Sequence, residues 1–405
     1  MGRQQLAKPG PAILRRLIDA ELHMARTSAF HPSAIAMASR QSPGVVPVRS
    51  STPGHDDVVL AWRRRRCRVS AGAIEAVDPA GIEIIKTTRQ AAFFRLRRAG
   101  FDASDVIAAC MPQQRGCIEQ TIYEQLLPKL NVSTPRYYGS SVDDGSCVQW
   151  VFTQDAAGET YSPNDPECRV AAARWLAALH VGTARAEADL GDLGLPEHGE
   201  LYYRDHLRTA LDELKHVSND PSIRPLLSHD DVGLLQFLLD ACTVTANRWD
   251  EVRALTAAAP RTVIHGDAAP RNFQLRRDRS PITLLGFDWE DAAWAPPALD
   301  LIHADPEATC DAINPDLETY LAETRSQWPR LDRHGLRRSG EIGKLFWHLL
   351  AIRLDAEAMS IDSIERRFSN LRLYAQELLD VFGELEWPSP ACHFDRGIRL
   401  GAAHE

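Results

Sequence analysis

The sequence predicts an α+β chain in which a small antiparallel sheet comes first and a larger, mostly helical part follows. Three observations predict it. Between positions 82 and 111, three short β-branched or apolar runs are joined by short loops, the pattern of an antiparallel meander. One helix and two further extended segments follow before position 154. From Pro166 onward the apolar residues recur mostly at helical spacing.

In order, Ile82–Thr87 is the first strand, residues 88–90 the turn and Ala91–Arg97 the second strand. Asp105–Met111 is the third, reached by a loop containing Gly100. Ile118, Ile122, Leu126 and Leu127 mark a helix that ends at Pro128. Pro135–Gly139, a turn at Asp143–Gly145 and a strand Cys147–Thr153 complete this part. Beyond it, helices are expected over Val170–His180, Asp231–Val252, around Ile342–Leu349 and over Ile364–Phe382. Two short strands, Thr262–Ile264 and Ile282–Phe287, lie between them.

The first 70 residues read differently. They are rich in Pro, Ser, Ala and Arg and hold twelve basic residues against four acidic ones. This composition predicts a basic extension without stable structure of its own, apart from a short helix near Ile13–Met24. The whole chain carries a formal charge of −9, so the remainder is strongly acidic. An acidic body argues against nucleic-acid binding and suits a small cationic substrate. No apolar run reaches the roughly 18–20 residues of a membrane span, and no membrane partner is expected. The eight cysteines form no Cys-x-x-Cys pair and no zinc-finger spacing, which reads as free thiols in a reducing, cytoplasmic setting.

The most informative stretch runs from Thr262 to Leu275. Directly after an apolar strand come His265, Gly266 and Asp267, and Asn272 follows Asp267 by five positions. Sixteen residues later a second strand ends in Phe287, Asp288, Trp289 and Glu290. Phosphoryl transfer needs a group to orient and deprotonate the acceptor hydroxyl, and ligands to hold Mg²⁺ against the phosphates. One Asp meets the first need; an Asn with a second Asp meets the other. The spacing equals that of the protein-kinase catalytic loop.

With these residues the chain resembles the aminoglycoside phosphotransferase and choline kinase group, over roughly Ile82 to Asp305. The resemblance implies a two-lobed, protein-kinase-like fold. It makes Asp267 the catalytic base, and Asn272 and Asp288 the Mg²⁺ ligands. His265 would brace the loop, as would Asp300. Glu119, on the helix that resembles helix C, would pair with a lysine on the third strand. Val151–Asp155 looks like the hinge, where the backbone of Thr153, Gln154 and Asp155 would take the adenine edge. His180 reads as a packed helix residue, and Arg271 as either a phosphate contact or an exposed charge.

Two departures stand out. The turn over Thr87–Gln90 has no glycine. More seriously, the family's lysine falls on Ala109, which can neither pair Glu119 nor touch a phosphate. Lys86, Arg89 and Arg95 are the nearest cations in sequence. The expected division is an extension over 1–70, a nucleotide-binding lobe over 71–155 and a catalytic, substrate-binding lobe over 156–405. The expected activity is ATP- or GTP-dependent, Mg²⁺-dependent O-phosphorylation of a small hydroxylated molecule: an aminoglycoside-like antibiotic, an amino alcohol or a sugar. Glu290, Asp291 and Asp305 are candidates for a substrate ammonium or guanidinium group. The alternative, favoured by Ala109, is a catalytically silent nucleotide- or ligand-binding module of pseudokinase type.

Overall fold

A computed structural model describes residues 53–66, 77–88, 91–101, 103–143, 145, 147–190, 193–277, 282–301, 313–360 and 363–390. The short helix expected near Ile13–Met24, and positions Arg89 and Asp305, lie outside these.

The small lobe is a five-stranded antiparallel sheet: β1 (Gly81–Thr87), β2 (Ala92–Arg97), β3 (Val106–Pro112), β4 (Tyr137–Asp143) and β5 (Val148–Gln154). Their spatial order is β1-β2-β3-β5-β4. The alternation of strand side chains sends Phe94, Leu96, Val106, Ala108, Cys110, Trp150 and Phe152 to one face, where they form a core.

That core is capped by a helix the composition argument did not anticipate. Residues His55–Arg64 form helix α1, inside the segment expected to be an unstructured extension. Val58, Ala61 and Trp62 recur at i, i+3, i+4 and are buried. The Trp62 ring packs edge-on against Phe152 and Tyr138, at 5.2 and 6.0 Å between centroids. Arg66 then exchanges backbone hydrogen bonds with Ser140. Buried Val58, Ala61 and Trp62 dock this ten-residue helix, although arginines surround them.

Between β3 and β4 lies helix α2 (Gln113–Thr121), extended by a wider π-helical turn over Ile122–Leu126. It rests on β5 because Gly116 has no side chain there: a Cβ would come within 2.6 Å of Gln149 Cβ. This close approach orients the helix face that carries Arg115 and Glu119.

The large lobe begins at α3 (Pro166–Leu190), longer than expected. Helix α4 (Glu200–Asn219), which the sequence reading left unassigned, buries Tyr203, Leu207, Ala210, Leu214 and Val217. The single helix expected over Asp231–Val252 is two, α5 (His229–Asn247) and α6 (Trp249–Ala258), broken at Arg248 where φ is −100° and ψ is 10°. Helices α7 (Leu317–Thr324), α8 (Arg333–Glu357) and α9 (Ile364–Glu384) follow. One core joins α4, α5, α8 and α9. A second packs α3 against short strands and reaches the underside of the small lobe at Ile122, Tyr123 and Leu126. Those short strands are β6 (Glu159–Thr160), β7 (Thr262–Ile264), β8 (Phe273–Arg276), β9 (Thr283–Gly286) and β10 (Ala293–Ala295). None of the described helices is long and apolar enough to cross a membrane.

Candidate active site

Two small antiparallel pairings aim the motif residues at one place. β7 pairs with β10, Ile264 facing Ala293, and the chain leaves β7 directly into His265. β8 pairs with β9, Phe273 facing Gly286, so the loop carrying Asn272 and the segment carrying Asp288 emerge side by side. The stretch between β7 and β8 is held by Asp300, which is buried. Asp300 accepts hydrogen bonds from the His265 and Gly266 backbone N–H groups at 2.7 and 3.0 Å. His180 on α3 approaches the same carboxylate through Nε2 at 3.1 Å, and its Nδ1 lies 3.0 Å from the Tyr320 hydroxyl. With a carboxylate on one side, the imidazole proton belongs on Nε2, and Nδ1 accepts from Tyr320. His180 is therefore packed, as its place in a helix suggested, and it is also part of a buried Tyr320–His180–Asp300 chain. No local motif at His180 signals that link, because its partners are 120 and 140 positions away.

Gly266 has φ +82°, and a Cβ there would sit 2.1 Å from the Asp291 carbonyl oxygen. Only glycine tolerates both conditions. His265 is fully buried, and burial holds its pKa below the ordinary value, so the ring is neutral. Its Nε2 donates to the Phe287 carbonyl at 3.0 Å. That bond ties the Asp267 loop to the residue before Asp288, and the ring packs 4.6 Å from that of Trp289.

Asp267 and Asn272 are both nearly buried. Asn272 donates its amide N–H to the Asp267 carboxylate and to the Asp267 carbonyl, each at 2.9 Å. Arg271 reaches both carboxylate oxygens at 2.7 Å. Asp288 has φ +68°, a left-handed backbone that Asp tolerates better than most residues. Burial, followed by the charges of Asp267 and Asp291, pushes its carboxyl up to about 7.

This arrangement fits a divalent cation. Because the Asn272 nitrogen faces Asp267, its oxygen faces the other way. The charges of Asp267 and Asp291, which add to burial in raising the Asp288 pKa, make a field that a bound cation would relieve. Two oxygen ligands do not make a metal site by themselves, and among the described residues no cluster of three or more His, Cys, Asp or Glu does so. Mg²⁺ commonly takes its remaining ligands from phosphate oxygens and water.

On the small-lobe side, Glu119 is buried, accepts the Trp289 backbone N–H, and has no hydrogen-bond partner at Oε2. Burial, with the nearby Asp288 charge behind it, pushes its carboxyl up to about 8. The β3 register places Ala109 between Phe93 and Val151, so the strand offers Glu119 no cation. Among the cations suggested by sequence, Lys86 stands exposed on edge strand β1. Arg95 is held by Asp155 at 2.6 Å and Glu83 at 3.2 Å. Instead Arg115, which sequence reasoning did not single out, reaches Glu290 at 2.6 Å and lies 3.9 Å from Asp291. Glu290 and Asp291, expected as contacts for a substrate cation, thus face an arginine of the chain itself.

In the hinge segment, Thr153 pairs with Ile107 and Tyr137. The Gln154 N–H donates to the Arg136 carbonyl at 2.7 Å and the Asp155 N–H to the Asp105 carbonyl at 2.9 Å. Those two donors serve the lobe itself, not an adenine edge. Cys110, Cys117, Cys147, Cys168 and Cys242 are free thiols.

Residues 85–333 match the phosphotransferase enzyme family. No curated protein matches the chain. Among solved structures, the GDP complex of wild-type aminoglycoside 2'-phosphotransferase-IIIa superposes with a TM-score of 0.51 at 16% identity, covering 74% of this chain and 94% of that one. A mutant of that enzyme, also with GDP, gives 0.52 at 16% identity over 75% and 94%. An ethanolamine kinase from Plasmodium vivax gives 0.48 at 14% identity over 73% and 82%.

Proposed function

The chain belongs to the phosphotransferase enzyme family, and from that premise we propose that it moves the terminal phosphoryl group of a Mg²⁺-bound purine nucleoside triphosphate, ATP or GTP, onto a hydroxyl of a small molecule. What supports the reading is that Asn272 donates to Asp267, that the Phe287 N–H, one residue before Asp288, donates to the Asn272 carbonyl, and that the buried Asp300 holds the loop. In this reading Asp267 orients the acceptor hydroxyl and takes its proton as the oxygen bonds to the γ-phosphorus. The bond from that phosphorus to the bridging oxygen breaks, and the nucleoside diphosphate leaves with the electron pair. Arg271 shields Asp267 until the acceptor hydroxyl displaces it, and its guanidinium then lies beside the transferring phosphoryl group. Asn272 and Asp288 would hold the metal, which neutralises phosphate charge when bound.

The silent-module alternative rests on Ala109 alone and does not account for the retention of Asp267, Asn272 and Asp288 on adjoining segments. The test is direct. Mg·ATP and Mg·GTP should raise the melting temperature of the full chain. Incubation with hydroxylated amines, aminoglycosides and sugars should then give a product heavier by one phosphate in mass spectrometry. Nucleotide binding with no transfer to any acceptor, and no slow hydrolysis to water, would return the silent-module reading.

A further inference from the structure

We propose that Arg115 is the phosphate-binding cation of the nucleotide site, acting from helix α2 where Ala109 leaves β3 without one; this inference rests on the phosphotransferase reading above. A triphosphate needs positive charge from the small lobe, and the lobe must place it near Asp288. β3 has none to give: Val106–Pro112 contains no cationic residue. Lys86 is exposed on β1, two strands from β3 in the sheet order. Arg95 and Arg97 pair with Asp155, Asp105 and Glu83, partners that all lie in the small lobe away from the Asp288 segment.

Arg115 meets the geometric requirement. It precedes Glu119 by four positions on α2, so both project from the same helix face. Its side chain is only 12% exposed and reaches Glu290, two residues past Asp288. Its positive charge also acts on Asp288. Around this point five carboxylates (Glu119, Asp267, Asp288, Glu290 and Asp291) face two guanidinium groups, Arg115 and Arg271. An entering triphosphate adds negative charge here, and Arg115 is the small-lobe cation that the described residues place against the Asp288 segment. Guanidinium suits the task because its planar fork matches phosphate as well as carboxylate. Glu290 holds Arg115 in place and yields it to the phosphates when the nucleotide enters.

The experiment measures binding of Mg·AMP-PNP, a non-transferable ATP analogue, to the full chain by calorimetry, with no acceptor present. Arg115→Ala should weaken binding about 10- to 100-fold, the range for a lost charge-assisted hydrogen bond. Ala109→Lys added to Arg115→Ala should recover most of that loss, because it returns the cation to β3 opposite Glu119. Glu290→Gln should bind more tightly than the unaltered chain, since it removes the carboxylate that competes with the phosphates for Arg115. A merely bracing Arg115–Glu290 contact predicts the opposite, with Glu290→Gln and Arg115→Ala weakening binding equally, and that result overturns the proposal. If Arg115→Ala does not fold, Arg115→Gln keeps most of the side-chain volume and Glu290→Gln asks the same question from the other partner. Unchanged affinity in a folded Arg115→Ala variant sinks this inference alone. Absence of Mg·AMP-PNP binding by the unaltered chain sinks the phosphotransferase reading beneath it.

Discussion

Glu119→Gln should reverse the sign of its effect on stability between pH 5 and pH 8. Glu119 is 5% exposed, with one oxygen on the Trp289 N–H and the other unpartnered. Its carboxyl is pushed from the ordinary 4.5 up to about 8. Between these values the folded chain keeps a proton that the unfolded chain releases. Stability therefore falls as pH rises through the window, by ~1.4 kcal/mol per pH unit. The loss is at most about 3 kcal/mol by pH 7 and about 5 kcal/mol by pH 8. Gln escapes this loss. In exchange, its amide N–H₂ enters a spot that offers no acceptor, at a cost of roughly 1–3 kcal/mol. The variant should thus be less stable than the unaltered chain at pH 5 and more stable at pH 8, with the crossover near pH 6.

Urea denaturation of both proteins in EDTA, at half-unit steps from pH 5 to 8.5, measures this. Asp288, Glu290 and Asp291 titrate in the same range in both chains, so the difference curve reports Glu119 together with its coupling to Asp288 and Glu290. A difference that stays flat across this range would mean that Glu119 is ionised and paired with a cation in the folded state. The account of Ala109 and Arg115 would then fail together with the prediction.

The other expectations are simpler. Asp267→Asn should lower turnover by at least ~10²-fold while Mg·nucleotide still raises the melting temperature, because the base acts on the acceptor; wild-type turnover would refute its role. Asp288→Ala should instead abolish the Mg²⁺-dependent part of that thermal shift, and an unchanged shift would remove it from the metal site. Asp300→Ala leaves the His265, Gly266 and His180 donors without their acceptor, so it should cost about 3 kcal/mol or more in urea denaturation; a loss under about 1 kcal/mol would mean the loop is held some other way. Trp62→Ala should cost roughly 3–5 kcal/mol, the usual range for a buried aromatic, and deletion through Arg66 at least as much; unaltered stability would mean α1 does not belong to the lobe.

How much of this was legible depended on how local the signal was. β1, β2, β3 and β5 fall within one or two residues of their expected bounds because each is a short apolar or β-branched run set off by turn or loop residues. The stripe Tyr203, Leu207, Ala210, Leu214 and Val217 of α4 is regular too, yet that helix is absent from the sequence expectations. The break at Arg248 is not legible, since no Gly or Pro marks it and helix-compatible residues run through it. Composition misled at α1. Averaged over 70 residues, Pro, Ser and Arg dominate, but docking depends on Val58, Ala61 and Trp62, three residues too few to move an average.

The candidate site divides in the same way. Asp267, Asn272 and Asp288 stand out in the sequence because phosphoryl transfer, the proposed chemistry, would fix their types and spacing along a short stretch of chain. The gap at Ala109 could also be read, since a strand register is a local matter. What fills the gap could not. Closeness in sequence favoured Lys86, Arg89 and Arg95; of these Lys86 lies on β1, two strands from β3, and Arg95 on the neighbouring β2. Arg115 and Glu290 are 175 positions apart, and they meet because Gly116 lets α2 lie on β5 and the β8–β9 pairing brings the Asp288 segment beneath it. A compensating charge can come from any element that borders the cleft. The requirement for positive charge there follows from the chemistry, whereas the residue that meets it follows only from the fold.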